Sequence, residues 1–454
     1  MNQVDLSGSV GLTDQLVGFV AGLDTASLGA PVRSECLRAF TNAVGCVIGG
    51  SSHEMVEIAA GALLPFSGPG QASLLGRGRR ADVLTAALLN GVAGAAYSFD
   101  DTYSDALLHP GGPIAVALMA LAERAPTPGE RLLGAFAAGL EVACRLTRAV
   151  AVVPAEGILA WSQTGIACGV AAALACGKLL GLAPRELAAA TSVAATESAG
   201  TRAAHGSMAA SLIFGRAAQS GVRAALLAER GFTGSPASIE HPHGYAAVFS
   251  LRPNLAALVE GLGDRYELSS NTYKPYPCGL VIHPALDGIL QLRRQLGFSG
   301  PDVTGIRLTV SPIAVSLAMR PDPKNEIEAK VSLQHWVAAA AASGKAGLAQ
   351  GTAAFVNDPE VRRLRALIEV RAESSMRQHA AHVSVRLRDG AWQECAIEHC
   401  SGSLENPMSD EMLEAKFVDQ AAVVIGHERA SALVKACWNL ASLEDAGELA
   451  RRAS

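Results

Sequence analysis

From Leu12 to Leu262 the chain is a succession of Ala/Leu-rich segments with helical spacing, separated by short Gly/Pro loops. Leu16, Phe19 and Val20 mark one apolar helix face; Leu37, Phe40, Val44 and Val47 mark another. The pattern predicts helices over 80–97, 114–124, 129–148, 165–180, 184–196 and 215–229, the last closed by Gly231. Half of the residues are apolar but only 5% are aromatic, so the core must be built from Ala, Leu and Val, which suits closely packed helices. No fixed-period repeat occurs, which argues against a solenoid.

After Asn271 the character changes. Ile306, Leu308 and Val310 alternate with Arg307 and Thr309, as in a half-buried strand. A second strand is predicted at 367–370; Val383, Val385 and Leu387 alternate before an Asp389-Gly390 turn and a strand over 392–397. Helices at 284–296 and 331–342 lie among them. From Ser409 the helical pattern returns, and Met412, Leu413, Phe417, Val423 and Val424 need an apolar partner. The expected fold is therefore mainly α. It has a large all-helical domain (1–268), a smaller α+β domain (269–403) and C-terminal helices (404–454) that return to the first. A cleft between two such domains is the default place for a small ligand.

Charge narrows the partners. With 37 basic and 42 acidic residues the net charge is -5, which points to neither nucleic acid nor an anionic membrane surface. Met1-Asn2-Gln3-Val4-Asp5 shows no secretory signal, and the apolar run Ile166 to Cys176 is short of the ~20 residues of a spanning helix. The nine cysteines are scattered with no Cys-x-x-Cys pair, so buried free thiols in a reducing cytoplasm are expected. Glu240-His241-Pro242-His243 lacks a convincing third ligand and reads as a turn, leaving no metal site. Gly76-Arg77-Gly78-Arg79-Arg80 lacks the full dinucleotide-binding pattern.

Four polar clusters interrupt this apolar chain. In Ser98-Phe99-Asp100-Asp101-Thr102, with His109-Pro110-Gly111-Gly112, two adjacent carboxylates, a hydroxyl and an imidazole lie within a dozen residues. Neighbouring carboxylates do not ionise independently, so one can serve as an acid or base near neutral pH. The alternative is a helix C-terminus running through a polar loop. Asn271 to Cys278, then His283, supplies Lys274, Tyr276 and an imidazole; the others are Glu197 to Ser207, with Arg202 and His205, and Met319 to Lys330, with Arg320.

These segments resemble the MmgE/PrpD family. The match is carried by Phe99-Asp100-Asp101-Thr102 with His109-Pro110-Gly111, Gly215 to Gly221 through Gly231-Phe232-Thr233-Gly234, Lys274-Pro275-Tyr276-Pro277-Cys278 with His283, and Arg320-Pro321-Asp322-Pro323 with Glu328-Ala329-Lys330. The resemblance implies a two-domain fold, usually a homodimer, acting on small di- or tricarboxylates without metal or organic cofactor. Family activities include 2-methylcitrate dehydration, cis-aconitate decarboxylation and iminodisuccinate epimerisation.

This chain departs from the dehydratase and decarboxylase pattern. Ser98 stands where an acidic residue is usual, Trp161-Ser162-Gln163 replaces a His-Pro segment, and Ala210 and Ile213 align with a Lys and a His. Shifting the alignment would let Arg202 and His205 fill that gap. Epimerisation needs the fewest groups, only removal and return of an α-proton. The sequence therefore points to an epimerase of iminodisuccinate or a similar dicarboxylate. A 2-methylcitrate dehydratase-like or cis-aconitate decarboxylase-like lyase is the alternative, and a non-catalytic degenerate member a third. Asp101, His109, Lys274 and His283 are the expected catalytic set, with Asp101 orienting His109. Asp100, Thr102, Arg202, His205, Tyr276 and Arg320 are the expected substrate contacts.

Overall fold

The computed structural model describes residues 11–454, so the N-terminal stretch read above for a targeting signal lies outside them. Long helices dominate the first two-thirds of the chain: Ala30–Gly50, Val83–Gly94, Gly111–Ala122, Gly129–Ala151, Gln163–Leu180, Pro184–Thr196 and Ala209–Glu229. Local signals set their ends. Asp82 caps Val83–Gly94 by accepting from the Leu84 and Thr85 amides, and Ser162 caps Gln163–Leu180 through the Gly165 amide.

Small residues let these helices touch backbone to backbone. A Cβ at Gly91 would lie 2.7 Å from the Gly215 Cα, and one at Gly215 would lie 2.3 Å from the Leu88 carbonyl oxygen. The Val83–Gly94 and Ala209–Glu229 helices therefore cross where neither can carry a side chain. That crossing places the first turns of Ala209–Glu229 against the segment that follows Gly94. Gln163–Leu180 alone is long and apolar enough to cross a membrane among the described helices, but it is packed inside the protein as a core helix.

Two hydrophobic cores are present. One takes residues from Leu16 to Tyr273 and again from Met408 to Ala453; the other runs from Cys278 to Cys395. Leu413 and Phe417 of the Asp410–Ile425 helix are buried in the first core, where Phe417 packs over Gly45 of Ala30–Gly50. The second core lies under a four-stranded sheet, ordered Trp392–Ile397, Ala381–Leu387, Val303–Val310 and Ile368–Ala372. Its pairings are antiparallel except for the parallel last pair. Helices His283–Leu296 and Leu333–Ser343 complete that core through Leu286, Ile289, Leu292 and Trp336. All nine cysteines are buried and free.

A short two-stranded ladder closes the first core just before the chain passes into the second. Asp101–Tyr103 pairs antiparallel with Asn271–Tyr273, with Asp101 opposite Tyr273 and Thr102 opposite Thr272. The Asp-Asp-Thr segment is thus neither a helix end nor a free loop.

Candidate active site

The ladder explains which carboxylate faces the site. Successive side chains on a strand point to opposite faces, so Asp100 and Thr102 share one side while Asp101 takes the other. The register also brings Asp100 beside Lys274, one step beyond the Asp101–Tyr273 pair. Asp100 Oδ1 accepts from Lys274 Nζ at 2.9 Å, and Oδ2 lies 3.1 Å from His109 Nδ1. Burial raises the proton affinity of Asp100, but Lys274 and His109 outweigh it and hold the carboxyl below its usual range. Ser98, just before this pair, has φ +52, an uncommon conformation outside glycine that turns the chain into the ladder.

His109 is held from behind. Its Nδ1 is within reach of the Asp101 carbonyl oxygen at 2.9 Å, Thr102 Oγ1 at 3.1 Å and Asp100 Oδ2. With oxygen acceptors on that side, Nδ1 carries the proton and Nε2 keeps its lone pair. Burial pushes the ring's pKa down to about 4, so it is neutral at rest. Phe214 stacks on the ring with centroids 5.7 Å apart.

These groups line a partly open cavity between the two parts of the protein, together with Arg202, His205 and Lys330. Arg202 Nε donates to the Trp161 carbonyl at 3.0 Å, and neither Nη has a protein partner among the described residues. His205 is pushed down to about 4, by burial and then by Arg202. Lys330 Nζ donates to the Ala96 carbonyl at 2.7 Å, and burial brings it down to about 8. Among the described residues Asp100 is the only carboxylate on the wall, against three cationic side chains. That balance suits an anionic ligand. Among the described residues no group of His, Cys, Asp and Glu could hold a metal ion.

The expected site is redistributed. Asp100, His109, Lys274, Arg202 and His205 all line the cavity. Asp101 does not: its carboxylate accepts from the Gly111 amide at 3.0 Å and from Asn271 Nδ2 at 2.8 Å, and burial raises it to about 7. The expectation that its carboxylate orients His109 is corrected: the Asp101 backbone carbonyl and Thr102 Oγ1 hold Nδ1, and the carboxylate beside the ring is that of Asp100. Thr102 supports His109 from outside the cavity wall. Tyr276 is also removed from substrate contact, since its hydroxyl donates to Asp287 Oδ1 at 2.5 Å. His283 is fully buried behind the wall, edge-on to Tyr276 with centroids 5.3 Å apart, and burial pushes it down to about 3. That position excludes it from direct proton transfer in the cavity. Arg320 is not on the cavity wall; its Nη2 donates to the His205 carbonyl at 2.9 Å.

Two residues were missed. Lys330 is visible in the sequence only as the end of its polar cluster. Lys416, on the Asp410–Ile425 helix, donates to Asn42 Oδ1 and the Phe99 carbonyl, each at 2.7 Å, and to the Lys274 carbonyl at 2.9 Å. It lies over the Phe99 ring, 4.1 Å from the centroid. No local pattern marks it, because its acceptors come from three distant segments.

Comparison with known proteins shows the family. Residues 14–257 match the MmgE/PrpD N-terminal domain, and residues 276–440 match the MmgE/PrpD C-terminal domain. The chain belongs to the MmgE/PrpD family. Human cis-aconitate decarboxylase is 26% identical over 451 residues, covering 96% of this chain and 93% of the relative. The mouse cis-aconitate decarboxylase is 25% identical over 465 residues, covering 97% and 93%. A cis-aconitate decarboxylase of Aspergillus terreus is 25% identical over 306 residues, covering 64% and 62%. These names favour the lyase alternative over the epimerase reading, and iminodisuccinate finds no support among them. The case for an epimerase rested on a depleted site in this MmgE/PrpD chain. Arg202 and His205 place a cation and an imidazole on the same cavity wall as Ala210 and Ile213.

Proposed function

We propose that this chain is a lyase that removes CO2 from a small unsaturated polycarboxylate of the cis-aconitate type, with His109 delivering the proton. The observation that carries this reading is the Asp100 carboxylate shared between Lys274 and His109 on the wall of a cationic cavity. The names of the relatives supply the reaction class.

The chemistry requires one C–C bond to break, its electron pair to stay on the substrate carbon, and one proton to be taken up there as CO2 leaves. A bound polyanion raises the proton affinity of the neutral His109 ring. Asp100 stabilises the resulting imidazolium at Nδ1, and Nε2–H becomes the donor. Lys274, Lys330 and Arg202 hold negative charge on the remaining carboxylates, in a site where burial strengthens each contact. A second reading uses the same resting ring differently: neutral Nε2 is a base suited to dehydrating a 2-methylcitrate-like hydroxy acid. The homodimer implied by the family is a further proposal, checked by sedimentation.

The test is proton NMR in deuterated water with cis-aconitate, alongside measurement of released CO2. The expected result is one deuterium placed on carbon for each CO2 lost. Water loss from 2-methylcitrate, or stereoisomer exchange in iminodisuccinate, without CO2 from cis-aconitate would replace the decarboxylase reading.

A further inference from the structure

Arg202 and His205 reach the cavity from a loop that is fastened on both sides. On the entering side, Arg202 N donates to the Ala160 carbonyl at 2.8 Å, and Ser162 N donates to the Gly200 carbonyl at 2.9 Å. The leaving side is fastened by Arg320, from the smaller part of the protein. Arg320 Nη2 takes the His205 carbonyl at 2.9 Å, and its guanidinium lies flush on Gly206. Gly206 has φ +86, and a Cβ there would meet Arg320 Nη1 at 2.3 Å. The conformation favours glycine, and an added Cβ would also displace the Arg320 guanidinium from its seat on the loop. Ser332 Oγ in turn donates to the Arg320 carbonyl at 2.5 Å.

The loop's purpose follows from what Arg202 lacks. Its guanidinium lines the cavity with no carboxylate partner among the described residues, while Lys274 already has Asp100. A partly buried guanidinium with free Nη donors is matched by a planar anion able to take two parallel hydrogen bonds. We infer that Arg202 grips a carboxylate of the substrate that does not react, and that Arg320, outside the cavity, is the positioning residue that holds Arg202 there. This rests on reading the cavity as a polycarboxylate site, but not on the reaction carried out in it.

The probe is tricarballylate, a saturated tricarboxylate with no alkene, titrated calorimetrically into the full chain at fixed ionic strength. Arg202→Gln is expected to weaken binding about tenfold or more, the scale of one charge-assisted contact. Arg320→Met and Gly206→Ala are each expected to produce a similar loss, although Arg320 is off the cavity wall and Gly206 contributes only backbone to it. Arg202→Gln with Arg320→Met should be no weaker than Arg202→Gln alone, because both remove the same contact. Arg202→Lys should recover part of the affinity. Unchanged binding in Arg320→Met or Gly206→Ala, full additivity in the double variant, or no binding by the wild-type chain would overturn the inference. Gly206→Ala keeps the test open should Arg320→Met fold poorly. CO2 release from cis-aconitate in the same variants separates the two readings. Release with unaltered binding removes only this inference; altered binding without any release removes only the decarboxylase reading.

Discussion

Asp100 and Lys274 are 174 residues apart in sequence, yet their carboxylate and ammonium meet at 2.9 Å with side chains 5% and 1% exposed. Neither charge could remain there alone, because taking an unpaired ion out of water is far more costly than burying a matched pair. The pair therefore joins folding to chemistry: the contact that makes the ladder end tolerable also presents a carboxylate to His109.

Removing one partner should show both effects. Asp100→Asn leaves Lys274 buried without its counter-ion, and a loss of about 3–5 kcal/mol in unfolding free energy is expected. Asp100→Asn with Lys274→Met should recover much of that stability in denaturant titrations while remaining inactive. A double variant as unstable as the single one would contradict the pairing argument.

His109→Gln should lower kcat for the proposed decarboxylation by roughly 10²–10⁴-fold, the range for a positioned proton-transfer group. Tricarballylate affinity should change far less, because the cations remain. A variant with near wild-type CO2 release would transfer the proton-delivery role to another group, with Lys330 the first to examine.

Acid should destabilise the fold in a defined window. Burial holds His53, His109, His205 and His335 down to about 4 and His283 down to about 3. An unfolded chain takes protons on these rings near pH 6.5, whereas the folded chain resists until near 4, so acidification between those values favours unfolding. Asp101 and Glu35, raised by burial to about 7, oppose this because the folded chain holds their protons more tightly. The histidines outnumber them. The urea midpoint should be lower at pH 5 than at pH 7, and His283→Phe should flatten the slope. A midpoint that rises on acidification would show that these rings are charged in the fold.

Lys416→Met should strand the Lys274 carbonyl and Asn42 Oδ1 without the ammonium, and leave the Phe99 carbonyl only the weak Cys46 thiol donor. Each buried unsatisfied acceptor costs about 1–3 kcal/mol. A lower melting temperature and a fall in kcat are expected together, since both carbonyls belong to the backbone around the Asp100–Lys274 pair. A Lys416→Met protein with unaltered kcat would limit the residue to packing.

The helices were legible where periodicity ran unbroken: Pro184–Thr196 coincides with its predicted span, and Gln163–Leu180 begins only two residues before its own. The helix predicted over 215–229 begins six residues earlier, at Ala209. In the fold Gly215 marks the point of closest approach to Leu88. The site was legible as a set of segments but not as a set of roles. Choosing Asp100 over Asp101 needs the alternation of a three-residue strand whose partner lies about 170 residues away, and no local pattern contains that partner. Arg320 resembled a carboxylate ligand by residue type; only its contact with Gly206 shows that it acts on the loop.

The Lys416 contacts also impose an order of assembly. Ribosomes deliver Asn42, Phe99 and Lys274 well before the Asp410–Ile425 helix, with 142 positions separating Lys274 from Lys416. Until that helix docks, the backbone carbonyls at Phe99 and Lys274 lack the ammonium, and the backbone around the Asp100–Lys274 pair stays open to water. A nascent chain can thus bury much of its helical interior while still lacking a finished catalytic centre. Maturation of activity should lag behind collapse, and it is the closing helix that sets the delay.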